Sequence, residues 1–140
     1  MVIRDGSDWF EITLREMGPE GTPGEGDLGV DVAVSGPTFA GRNDTVWIGR
    51  DEWAAFLEHL SELERSRRGE ARVVAMSPEE FRLAVFATDR AGHLAAEGWV
   101  GREYAARQGV LRDRVSFSLD IDPGSLPALI QQFEALAAAG

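Results

Sequence analysis

The chain has 140 residues, 44% of them hydrophobic and 27% charged, with no cysteine and a formal net charge of −10. The missing cysteines exclude a disulfide framework and a thiolate metal site, and an excess of 24 acids over 14 bases excludes the basic stripe that tracks a nucleic-acid backbone. No run approaches the roughly 18 apolar residues of a membrane span, and MVIRDGSDWFEI is too charged for a signal peptide, so the expectation is a single cytoplasmic domain over residues 1–140.

Period-two alternation appears first in WFEITLR, where Phe10, Ile12 and Leu14 share one face and Glu11, Thr13 and Arg15 the other. The glycine-rich EMGPEGTPGEGD (16–27) reads as a flexible acidic hairpin loop. Alternation returns in LGVDVAVS, with Leu28, Val30, Val32 and Val34 opposite Asp31 and Ser35. GPTFAGRND (36–44) then sets two glycines five positions apart, as a phosphate loop would. The phosphate pattern needs Lys and Ser or Thr after the second glycine, and a helix to present free N–H groups. Here Gly41 leads through Arg42, Asn43 and Asp44 to a strand-like TVWI (45–48). The stretch therefore reads as a turn, in which Phe39 pins the loop to the core and Gly41 supplies backbone freedom.

Helical spacing follows. Trp53, Phe56, Leu57, Leu60 and Leu63 fall at i, i+3, i+4, i+7 and i+10, between Asp51-Glu52 and the Arg65, Arg67, Arg68 cluster before Gly69. Strands are expected at ARVVAM (71–76), at Phe81–Ala87 and at HLAAEGWV (93–100). GREYAARQGVLRD (101–113) shows no alternation and reads as a long loop. Val115, Phe117, Leu119 and Ile121 restore the period of two, opposite Arg114, Ser116, Ser118 and Asp120. The last helix is set by Leu126, Leu129, Ile130, Phe133 and Leu136, with Asp122 as N-cap and Pro123 in its first turn. The order strands, helix, strands, helix has the outline of a duplication, without a residue-level repeat. The predicted fold is α+β: a single antiparallel sheet of about six or seven strands with both amphipathic helices packed on one face.

Catalytic chemistry finds no foothold. There is no cysteine nucleophile, and His59 and His93 are isolated and read as surface residues. Asp120 and Asp122 are the nearest approach to a carboxylate pair, and Asp122 has a capping role. No catalytic residue, metal site or cofactor is expected. What remains is a surface. On the polar face of the predicted sheet, Trp47, Phe86 and Trp99 stand out as interface anchors, with Asp31, Glu97 and Asp120 around them and Tyr104 in the nearby loop. The same rings would also serve if they simply packed across strands.

With these elements placed, the chain resembles small bacterial immunity proteins of the WapI type. The resemblance is carried by Phe39-Ala40-Gly41 before TVWI, by the helix WAAFLEHLSEL, and by SFSLDIDPGSL before the last helix. It implies a non-enzymatic protein that neutralises a bacterial toxin, and it brings no site residues with it. The acidic charge suits occlusion of a basic toxin domain. Two other readings stand beside it: a small-molecule or enzymatic domain with a site between sheet and loops, and an accessory domain that self-associates through Trp47 and Trp99. The chain is expected to be a monomer or homodimer, with no nucleic-acid or membrane partner.

Overall fold

The computed structural model describes residues 1–138. Eight strands form two sheets rather than one. Strands β1 (Val2–Asp5), β2 (Asp8–Met17), β3 (Leu28–Ser35) and β4 (Ala40–Ile48) form an antiparallel meander, and helix α1 (Arg50–Ser66) follows. Strands β5 (Glu70–Val74), β6 (Phe81–Ala87), β7 (Leu94–Ala106) and β8 (Gly109–Ile121) form a second meander, and helix α2 (Leu126–Ala138) follows. The prediction of a single six- or seven-stranded sheet is thus corrected. Alternation reports which face of a strand is apolar, and two sheets sharing one core give the same alternation as one sheet under helices.

The inner faces of both sheets and the apolar stripes of both helices meet in one core, with Phe10, Phe56, Phe81 and Phe133 at most 1% exposed. Phe10 of β2 stacks on Phe81 of β6 and on Phe117 of β8, with ring centroids 5.9 and 5.3 Å apart. Trp53 and Phe56 of α1 pack against Phe133 of α2.

The sheets cross at close to a right angle. Ile3, Phe10, Val34 and Gly41 form one row across the first sheet. Strand β8 lies along that row: Asp120 meets Asp5, Phe117 stacks on Phe10, and Val115 abuts Gly41. Five residues of β8 span about 17 Å, and three strand spacings span about 14 Å, so the strand runs along the row. Strand β4 crosses the second sheet in turn, passing Val115 of β8, Gly101 of β7 and, at Trp47, the backbone of Met76 beyond β5.

The stretch 36–44 builds this corner. Gly36 closes a tight turn onto Phe39, and β4 begins at Ala40, five residues earlier than TVWI. Gly41 is needed for its missing side chain: a Cβ there would sit 2.9 Å from Val115 Cγ2. Asn43, only 2% exposed, is an inter-sheet clamp. Its Nδ2 donates to the Gly101 carbonyl at 2.7 Å, and its Oδ1 accepts from Thr45 N–H at 2.9 Å and Thr45 Oγ1 at 3.0 Å. Phe39 does not pin the loop to the core; it is 71% exposed.

The helix ends also differ in detail from expectation. Asp122 caps a short 3-10 turn (Pro123–Ser125) that leads into α2. Helix α1 ends on Arg67 in the left-handed conformation at φ 56°, ahead of Gly69. The strain of a non-glycine residue there is offset by its guanidinium, which donates to the carbonyls of Glu64 and Pro123 and ties α1 to the start of α2. Loop 18–27 is tied across its base by hydrogen bonds between Gly18 and Asp27 and between Gly26 and Gly18, and Asp27 Oδ1 accepts from Arg50 N–H at the start of α1.

Two measurements test the corner. Asn43→Leu strands a buried carbonyl and an N–H group, so it should lower unfolding free energy in urea by about 2–4 kcal/mol. Gly41→Ala should cost about 1–3 kcal/mol by overpacking. Adding Val115→Ala should recover part of that, with a coupling above about 0.5 kcal/mol in a double-mutant cycle.

Candidate functional site

Each meander keeps one outer face free of the core, and these faces point away from each other because the inner faces are packed together. The seven interface candidates are therefore divided. Asp31 and Trp47 lie on the outer face of the first sheet, and Phe86, Glu97, Trp99 and Asp120 on that of the second. Tyr104 lies beyond the body of the second sheet.

On the first sheet, Arg15 gathers the local groups. Its guanidinium meets Asp31 at 3.2 Å, donates to the carbonyls of Val30 and Asp44, and stands 5.8 Å from the centroid of Trp47. Gly29, paired with Trp47, leaves room for both: a Cβ there would lie 2.9 Å from Arg15 Nη2 and 3.1 Å from the Trp47 ring. Beside this set is a shallow depression of about 540 Å³ lined by Trp9, Glu11, Thr13, Asp31, Ala33 and Arg42 among others.

The outer face of the second sheet is ordered in rows. Phe86, Ala95 and Asp120 lie in one, Ala84, Glu97 and Ser118 in the next, and Arg82, Trp99 and Ser116 in the third. Phe86 and Trp99 are thus about 13 Å apart along the strands, with Glu97 between them. Trp99 is fixed on three sides: Arg114 and Arg82 lie 4.2 and 5.3 Å from its centroid, and its Nε1 donates to the Pro78 carbonyl at 2.9 Å. Arg114 is in turn paired with Glu79. The indole is therefore pre-positioned, with cation–π contacts holding one orientation. Glu97 and Asp120 are exposed and have no ion-pair partner among the described residues.

The predicted loop 101–113 is a β-hairpin. Strands β7 and β8 stay in register from Gly101↔Arg114 to Ala106↔Gly109, and Arg107-Gln108 forms the turn before Gly109 at φ +130°. Past the Gly101 corner this arm projects from the body, with Tyr104 43%, Val110 55% and Leu111 51% exposed. Sequence periodicity missed it because neither face is apolar enough to alternate; the Arg-Gln-Gly turn was the available signal. The strands are stitched by Arg112 to Glu103 at 2.8 Å and by the Tyr104 hydroxyl to Asp113 at 3.0 Å. The hydrogen bond to the Asp113 carboxylate holds the Tyr104 phenol above the usual tyrosine range, and the hydrogen bond to Glu103 raises Arg112 in the same way.

Both histidines are exposed. His93 pairs with Asp89 in the β6–β7 turn and draws that carboxyl below its ordinary value, chiefly by a side-chain hydrogen bond. Among the described residues, no three His, Asp or Glu side chains converge on a point that would hold a metal ion. Also among them, no helix is long and apolar enough to cross a membrane.

A match to the immunity protein WapI-like family extends over residues 1–139, and the chain belongs to that family. Among curated proteins and among solved structures, none matches the chain.

The arm has a direct spectroscopic test, because Tyr104 is the only tyrosine. Absorbance titration at the phenolate band should show a midpoint above the ordinary value near 10. Asp113→Ala should bring it down toward that value. Since the folded pKa is the higher one, the Tyr104–Asp113 contact stabilises the arm at neutral pH and is lost as pH rises through that midpoint.

Proposed function

Proceeding from that family, we propose that this protein neutralises a cognate bacterial toxin by binding it, acting in the cytoplasm as a stoichiometric partner and not as a catalyst. The match over residues 1–139 carries the reading. The expected partner is the toxic C-terminus of a large secreted protein encoded by a neighbouring gene.

We assign the interface to the outer face of the second sheet and the arm beyond it. The sheet face holds four of the seven candidates, Phe86, Glu97, Trp99 and Asp120, and the arm carries Tyr104, which the register places on the opposite side of the ribbon from Trp99. A pre-positioned indole loses little rotamer freedom on docking, which suits an anchor. The unpaired carboxylates of Glu97 and Asp120, in a chain of net charge −10, complement a basic toxin cleft and speed encounter with it. Asp31 and Trp47, on the opposite face and already engaged with Arg15, fall outside this footprint.

Co-purification with the neighbouring toxin domain tests the reading, and absence of binding at low salt sinks it. Reversing both Glu97 and Asp120 to Arg should slow association about tenfold at low ionic strength, with the difference shrinking as salt is added. An unchanged association rate would remove the charge argument for this face.

A further inference from the structure

Strand β8 is 13 residues long and lies at the edge of its sheet. Asp120 N–H turns away from β7 and donates to Asp5 Oδ2 at 3.0 Å. On the other side of the hairpin, Gly101, paired with Arg114, sends its N–H to Glu80 and so away from β8. Both observations set the same phase of the ladder. The N–H and C=O groups of Val110, Arg112, Arg114, Ser116 and Ser118 therefore lie along the outer edge. Among the described residues no hydrogen bond reaches that edge except the one at Asp120.

The edge is also a shaped place. From Val115 to Leu119 it borders a groove of about 220 Å³ whose other wall is the turn Gly36–Phe39, with the exposed Phe39 ring among the lining residues. From Val110 to Arg114 it runs out along the arm, and there the charge changes sign. Residues 101–114 hold four arginines against two acids, so a surplus of two positive charges sits in a chain of net −10.

We propose that the free edge of β8 from Val110 to Ser118 is a strand-addition site, taking one extended, acidic segment of the toxin. This rests on the immunity reading above and deepens it. An extended segment satisfies the open row of backbone groups and places alternate side chains in the groove beside Phe39. The arginines of the arm select an acidic segment, whereas Glu97 and Asp120 on the sheet face meet basic groups of the toxin.

Ser116→Pro is the direct test. It deletes an N–H of the free edge and none of the β7–β8 ladder, so the fold tolerates it. With the neighbouring toxin domain as probe, Ser116→Pro should weaken binding at least tenfold and leave the circular dichroism spectrum unchanged. Affinity within twofold of wild type overturns strand addition while leaving the immunity reading intact; no binding by wild type overturns both. Should the variant fold poorly, amide hydrogen exchange on wild type decides. The amides of Arg112, Arg114, Ser116 and Ser118 should gain protection on toxin binding, and unchanged exchange overturns the proposal. Arg107→Glu with Arg112→Glu should weaken binding several-fold, and tighter binding would overturn the acidic character of the segment. A wild-type dimer in light scattering that Ser116→Pro abolishes would assign the edge to a second copy and overturn the toxin as its occupant.

Discussion

At the corner where β4 passes over β7 and β8, Asn43 donates to the Gly101 carbonyl and Gly41 lies against Val115, and the placement of both sheets follows from these two contacts. Two twisted sheets crossing at right angles approach closely only at their corners, where side chains would hold them apart. Gly41 removes that obstacle on one side. On the other, Gly101 has no room for a Cβ, which would lie 2.7 Å from both Glu79 and Asp113 carbonyl oxygens. A buried amide is costly unless every polar atom is satisfied. Asn43 meets that condition through one donated and two accepted bonds, and so it specifies the crossing point instead of weakening it. Apolar burial alone would permit a slipped register between two inner faces that both read as alternating aliphatics.

The same corner explains why two similar halves share one core. Each half is a four-stranded meander followed by a helix. Neither closes its own core. Helix α1, at the end of the first half, packs against β5 and β6 of the second, and α2 reaches back to β2 of the first. Phe10 of the first sheet is covered by Phe81 and Phe117 of the second. A half on its own would expose an apolar sheet face and an uncovered helix stripe, so the halves are interdependent.

Much of this was legible in the sequence. The alternating segments and both helix stripes lie where the periodicity placed them, Asp122 caps the turn before α2, and membership in the WapI-like family matches the resemblance carried by the short motifs. The division into two sheets was not legible, because a period of two marks the buried face of a strand and is silent about which strand lies opposite. The role of GPTFAGRND was only half legible. Its residue types signal local turn chemistry, whereas Gly41 acts on Val115, 74 positions away, and Asn43 on Gly101, 58 positions away. The interface candidates were chosen as one polar face; the topology separates Trp47 and Asp31 from Trp99 and its neighbours. The arm was hidden because a two-stranded ribbon exposed on both faces has no apolar periodicity to display.

That exposure has a physical implication for the arm's state. A two-stranded ribbon is marginal in water by itself, and this one is held by its continuity with the body at Gly101 and Arg114 and by exposed polar pairs worth little each. A long open edge on such an element invites pairing, and its charges bear on which pairing occurs. In the antiparallel register that centres two copies of β8 on Asp113, Arg112 of one copy falls opposite Arg114 of the other, a like-charge juxtaposition that disfavours self-association. An acidic strand meets the same arginines favourably. The edge therefore disfavours its own kind in that register while staying open to a complementary strand, and the corner at Asn43 sets where on the body such a strand would enter.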